Sequence, residues 1–183
     1  MNEVLKAIAN RYSCRAYTDV MPDDDTLQAI AKAAVAAPSG MNRQGWRVIV
    51  IKDTALLQEI DTYSMASFKA QADQSTYKRM MDRGGKMLYN APCMIVVVTE
   101  PDSSSMDCGI VAQNITLAAT SLGLGSVICG ILGMPLAGER GEEFKNRLGF
   151  PDGFGFGIAI LLGYADKEGA PHEPDLDKII VVG

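Results

Sequence analysis

Five residues near the N-terminus, Arg11-Tyr12-Ser13-Cys14-Arg15, place two guanidiniums and a hydroxyl in one short segment. Arginine supplies forked, charge-assisted donors and serine a neutral one, a set suited to a phosphate. Taken alone, the same residues also fit a solvated surface loop. A second candidate is Ala37-Pro38-Ser39-Gly40-Met41-Asn42-Arg43-Gln44-Gly45-Trp46. Ser39, Asn42 and Gln44 are uncharged groups that donate and accept hydrogen bonds, as the polar edge of a flavin or nicotinamide ring requires. The plain alternative is a helix C-cap and connector, with Trp46 a core anchor. The third candidate is Ser126-Val127-Ile128-Cys129-Gly130-Ile131, where glycine lets backbone N–H groups approach a flat ligand. It reads equally as a tight turn after a buried strand.

Other reactive groups are sparse. The four cysteines, Cys14, Cys93, Cys108 and Cys129, are far apart and form no C-x-x-C pair. They read as free thiols of a reducing cytoplasm rather than as zinc ligands or a dithiol couple. The single histidine, His172, lies in Ala170-Pro171-His172-Glu173-Pro174, a loop-like context. One histidine supports neither a histidine-based metal site nor a Ser/His/Asp constellation, so no metal and no catalytic side chain are expected.

These residues need a scaffold. The chain has 183 residues, 48% hydrophobic and 21% charged, with a net charge of −5. That length suggests one domain, large enough to bury its own core without a metal or disulfide staple. The negative balance argues against nucleic acid as a partner. Charges at Glu3, Lys6, Arg11, Arg15 and Asp19 interrupt any secretory h-region, and no apolar run suits a membrane helix.

Val4, Leu5 and Ile8 recur at helical spacing, predicting a helix over 3–9. Pro22 and the acids Asp23 to Asp25 open a second that ends before Pro38. Arg47 to Ile51 reads as a strand, and Asp53 caps a further helix. Residues 64–90 are polar and Met-rich, predicted helical with a break at Gly84-Gly85. Met94 to Thr99 is a continuous apolar strand, central in a sheet covered on both faces. Asp107 is expected to open a long apolar core helix ending at Gly123. Then come a short strand at Val127 and Ile128, a loop over 130–138, a helix over 139–148, a strand over 155–164 and a terminal strand over 178–182. The last strand, set apart by residues 165–177, must find an edge, and that edge could belong to another subunit. The sum is an α+β layered domain of about four strands with helices on both faces.

The order and spacing of the three segments resemble the nitroreductase family of FMN-dependent oxidoreductases. Arg11, Ser13, Arg15, Pro38, Ser39, Asn42, Gln44 and Trp46 match the family's first two motifs. The likeness continues through Asn90-Ala91-Pro92, Ser121-Leu122-Gly123-Leu124-Gly125 and Leu161-Leu162-Gly163-Tyr164. It implies a three-layer fold with a small, mostly antiparallel central sheet flanked by helices. It further implies an intertwined homodimer of single domains (1–183) with FMN at the subunit interface. Residues 64–90 would be lid helices and 165–183 an extension onto the partner. By resemblance, Arg11, Tyr12, Ser13 and Arg15 lie at the ribityl phosphate. Pro38, Ser39, Asn42 and Gln44 reach the flavin of the other subunit, and Ile128, Cys129 and Gly130 face the ring near N5.

The activity implied is ping-pong transfer of hydride from NADH or NADPH, through the flavin, to nitro compounds, quinones or other small conjugated acceptors. Arg43, Lys69, Lys78 and Arg79 are candidates for the cation that offsets charge on the reduced ring. Alternatives are a non-catalytic FMN carrier or sensor, a reductive dehalogenase, a flavin-cleaving enzyme, and a thiol-based redox protein. Three departures stand out. Tyr12 replaces a residue that is usually basic, Gly45 replaces proline and so should loosen its turn, and His172 stands where relatives often place a cation. An imidazole is largely neutral at pH 7, so weaker FMN retention is expected.

Overall fold

The computed structural model describes residues 1–183. Its four longest helices begin where short polar side chains satisfy the free N–H groups of a first turn. Asn2 caps α1 (Glu3–Asn10) at the Leu5 N–H. Asp23 caps α2 (Asp24–Val35) at the Thr26 N–H. After β1 (Trp46–Ile51), Asp53 caps α3 (Thr54–Ala70) at the Leu56 N–H. Then follow α4 (Ser75–Met81), β2 (Cys93–Thr99) and α5 (Ser105–Ser121). The chain closes with β3 (Gly125–Ile128), α6 (Gly133–Leu136), α7 (Gly141–Arg147) and β4 (Gly155–Gly163).

The strands form one sheet in the order β1-β2-β4-β3, antiparallel at every pairing. β2 lies inside it, and its alternating side chains feed two cores. Met94, Val96 and Val98 pack with Leu57, Ile60 and Phe68 of α3 and with Phe144 of α7. Cys93, Ile95 and Val97 pack with Leu27 and Ile30 of α2 and with Val111 and Ile115 of α5. Helix, sheet, helix is the three-layer α+β arrangement expected from the residues.

Several boundaries differ from expectation. The core helix begins at Ser105, not Asp107, because the Ser104 hydroxyl accepts the Met106 N–H at 3.2 Å. The stretch 130–138, expected as a loop, holds a 3-10 turn at Gly130–Leu132 and then α6. Burial of Leu132 and Leu136 overrides the weak helix propensity of its glycines. The helix expected from Glu139 starts at Gly141. Residues 64–70 are the last turns of α3, with Ser64 and Phe68 buried, so only α4 is a separate helix within 64–90. Gly84 and Gly85 adopt φ of +101° and +72°, ending it as anticipated.

The terminal strand does not form within the protomer. Residues 176–178 make a 3-10 turn, and the chain then runs extended without a strand partner. A strand needs an edge, and these residues lie away from the sheet. The last links to the body are the Asp166 N–H to the Ala16 carbonyl, 3.0 Å, and Gly169 against the Tyr12 ring. Ile180 is 86% exposed and Val182 91%. No helix is long and apolar enough to cross a membrane.

Candidate functional site

β3 is an edge strand, and Ser13 and Cys14 run alongside it, before Tyr17 bridges Ala165 beyond the end of β4. Ser13 bridges Ser126 in parallel sense, and the Cys14 N–H donates to the Ser126 carbonyl at 2.9 Å. Cys14 turns inward, where Gly125 makes room: a Cβ at position 125 would sit 2.7 Å from its Sγ. The buried Tyr17 hydroxyl pins the segment by donating to the Cys14 carbonyl at 2.9 Å. With Cys14 inside, Arg15 is left exposed. Residues 11–15 and 126–130, remote in sequence, are thus neighbours.

Beside this junction lies a cavity of about 230 Å³. Arg15, Ile128, Cys129 and Gly130 line it, as do Val127 and Ile131. Arg79 and Met80 of α4 form another wall, with Arg83, Met87 and Tyr89 from the turns that follow. None of its three arginines has a carboxylate partner. Arg15 reaches only the Ser13 carbonyl at 3.4 Å, and Arg79 only the Thr76 hydroxyl at 3.3 Å. By contrast Arg140 and Arg147 are tied to Glu59 and Glu143. In a net acidic chain, unpaired guanidiniums around one cavity make a positive focus for an anion.

The other anticipated residues lie elsewhere. Arg11 is half-buried at the end of α1, its N–H bonded to the Ala7 carbonyl, and it does not line the cavity. Tyr12 packs on Gly169, and burial raises its hydroxyl pKa. His172 lies exposed in the tail without a hydrogen bond or ion pair. Of the cations weighed for the ring, Arg79 lines the cavity, and Arg43, Lys69 and Lys78 do not.

Pro38, Asn42 and Gln44 are exposed and Ser39 is half-buried, all outside the cavity wall. The Ser39 hydroxyl accepts the Gln44 N–H at 2.9 Å, and the Gln44 amide donates to Asn42 Oδ1 at 2.7 Å. Met41, Asn42 and Gln44 have φ of +52°, +53° and +50°. Three left-handed non-glycine residues in four are strained, the kind of backbone that persists where a loop is built for a task. Gly45 does not loosen this turn. Its carbonyl accepts from the Glu100 N–H and the Ser103 hydroxyl, both at 2.9 Å, and a Cβ would collide with Ser103 Oγ. Close approach requires glycine here.

Cys129 donates its N–H to the Ala159 carbonyl at 2.7 Å, so that group is committed to the sheet. Its thiol is pushed up to about 11 by burial, and that of Cys93 to about 12. Thiols held protonated in this way are poor nucleophiles, which weighs against a thiol-based chemistry.

A small antiparallel sheet between helical layers, with an electropositive cavity where residues 13–15 meet the end of β3, defines a nitroreductase-type domain. The model of the Nitroreductase family matches residues 8–164, and the chain belongs to that family. It is 53% identical to a nitroreductase of Desulfitobacterium hafniense solved with bound FMN, covering 100% of both chains with a TM-score of 0.96. A nitroreductase with bound FMN from Bacteroides fragilis is 29% identical over 100% of both chains, TM-score 0.90. A protein of Archaeoglobus fulgidus, named provisionally as an NADH dehydrogenase/NAD(P)H nitroreductase, is 34% identical across 96% of this chain and 92% of its own.

Proposed function

We propose that the protein is an FMN-dependent NAD(P)H oxidoreductase acting as a homodimer in the reducing cytoplasm. The observation that carries this is the cavity where Arg15, Arg79 and Arg83, all without carboxylate partners, meet the Ile128–Ile131 turn. That donor set fits a phosphorylated flavin. The volume fits half of its site. Ligand pockets run to roughly 300–1,000 Å³, above the 230 Å³ found here, so a second surface completes the enclosure.

The strained loop carrying Pro38, Ser39, Asn42 and Gln44 suits that second surface, offered by one protomer to the other. Val4, Leu5 and Ile8 of α1 and Ile179–Val182 of the tail are large apolar side chains left in solvent, the mark of an interface. When bound, FMN supplies ping-pong hydride exchange between NAD(P)H and a nitro compound, quinone or other small conjugated acceptor. Arg15, on the cavity wall, holds its phosphate, joined by Arg11 and Ser13 of the same segment from outside that wall, with His172 a partial contributor and Tyr12 holding the tail alongside. Ile128 and Gly130 lie against the ring, and Gly130 supplies the N–H that Cys129 cannot. Arg79 offsets the negative charge of the reduced ring. Met80, Met87 and Tyr89 form an adaptable apolar wall that excludes water.

The test is anaerobic titration of the FMN-loaded protein with NADH and with NADPH, followed by addition of a quinone. Bleaching by either nucleotide and recovery with quinone is the expected result. A yellow protein that neither nucleotide bleaches is a carrier and overturns the assignment.

A further inference from the structure

The wall that carries Met87 and Tyr89 is one strand of backbone thick. Residues 86–92 belong to no helix or sheet, and Tyr89 and Asn90 sit at φ of +52° and +57°. Met87 and Tyr89 contribute to the lining of the 230 Å³ cavity, whereas Lys86, Leu88 and Asn90 contribute to that of a second cavity of about 470 Å³. The strip therefore separates two cavities, although Met87, Leu88, Tyr89 and Ala91 are themselves packed in the core. A strained, irregular segment flanked by two cavities gains from a tether.

Asp61 supplies one. It projects from the middle of α3, only 4% exposed, and lines the second cavity. Its Oδ1 accepts the Leu88 N–H at 2.7 Å, and its Oδ2 lies 3.7 Å from the Lys86 ammonium. The only other bond within the strip is a turn, Ala91 N–H to the Leu88 carbonyl at 2.9 Å. A buried carboxylate is a costly way to stabilise a fold. Burial raises the Asp61 pKa despite the Leu88 and Lys86 contacts, so its placement is a net electrostatic burden.

We infer that Asp61 is a positioning residue: by holding Leu88 it fixes the partition so that Met87 and Tyr89 shape the pocket in which the acceptor is received. This rests on the function proposed above. Without the tether, the strip can relax into the second cavity, enlarging the acceptor pocket and leaving the phosphate contacts of residues 11–15 untouched.

The experiment compares Asp61→Asn and Asp61→Ala as FMN-loaded proteins with two oxidants. p-Benzoquinone must enter the pocket, whereas ferricyanide takes electrons without doing so. Asparagine keeps an oxygen for the Leu88 N–H, so Asp61→Asn should hold the quinone KM within about twofold of the parent. Asp61→Ala should raise that KM about tenfold, the equivalent of one hydrogen bond, while kcat and the ferricyanide rate change less than about twofold. An active parent whose alanine variant keeps its quinone KM overturns this inference alone. So does an asparagine variant as impaired as the alanine one, or an alanine variant equally slow with both oxidants. A parent that passes nothing to benzoquinone overturns the function proposed above, and this inference with it.

Discussion

Replacing both Arg11 and Arg15 with glutamine should yield a protein that folds but does not retain FMN. Neither guanidinium has a carboxylate partner, and Arg15 makes only the 3.4 Å contact to the Ser13 carbonyl. Little of the protomer's stability depends on them, and the change in folding free energy should stay within about 0.5 kcal/mol. Binding is different. A hydrogen bond to a charged group contributes about 1.5–3 kcal/mol, so losing two costs about 3–6 kcal/mol. That corresponds to about a hundredfold to ten-thousandfold rise in Kd. Each single variant should fall about halfway on the logarithmic scale. Quenching of FMN fluorescence on titration gives Kd, the 450 nm absorbance after gel filtration gives retention, and thermal melting of the apo-proteins verifies the fold. A double variant that stays yellow, with Kd within about tenfold of the parent, would refute the reasoning and move the phosphate towards Arg79 and Arg83.

Two further outcomes follow from the packing. Gly45→Ala should lower stability by about 1–3 kcal/mol, because its Cβ has no space beside Ser103 Oγ. Adding Ser103→Ala should recover part of that loss, and a melt unaltered by Gly45→Ala would show that the 100–103 turn yields freely. The buried thiols predict alkaline weakening. Unfolded thiols ionise near 9, whereas folded Cys93 and Cys129 hold their protons to about 12 and 11. The unfolded state therefore binds fewer protons above pH 9, and stability present below that pH is lost as pH rises towards those values. The slope is about 1.4 kcal/mol per pH unit for each thiol. Melting between pH 8 and 10 should show it, and Cys93→Ala with Cys129→Ala should flatten the slope even if the whole curve lies lower.

The elements most legible in the residues are those fixed locally or by double burial. Asp23 and Asp53 announce their helices because a cap acts on the next three residues. The run Cys93–Thr99 announces an inner strand because both its faces are covered. The misread stretches depend on distant partners. Gly130 to Leu136 coils because Leu132 and Leu136 have a core to enter, and Ile179–Val182 lacks any edge in its own chain. The cavity divides in the same way. Arg15 and Ile128 to Gly130 carry local patterns of donor type and turn chemistry. Arg83, Met87 and Tyr89 come from turns after α4 with no such pattern, and only Gly84-Gly85 hints that the chain must double back there. The partition is invisible in sequence, but its tether left a signal: Asp61 falls on the apolar stripe of α3 at helical spacing between Leu57, Ser64 and Phe68, where an acid is out of place.

The inner strand has a consequence for how the chain reaches this state. β2 is apolar on both faces, and its partners are β1 on one side and β4, near residue 160, on the other. No neighbouring hairpin shelters it, so every pairing closes a long loop, and such topologies fold slowly. Until Gly155–Gly163 arrives, the segment Cys93–Val98 is an uncharged, proline-free hexamer of high β propensity, the composition that nucleates intermolecular stacking. The same double burial that makes β2 the spine of the finished domain makes it the chief aggregation hazard of the unfinished one. Yield on refolding should therefore be governed by protein concentration and by how quickly β4 docks, rather than by the stability of the native state.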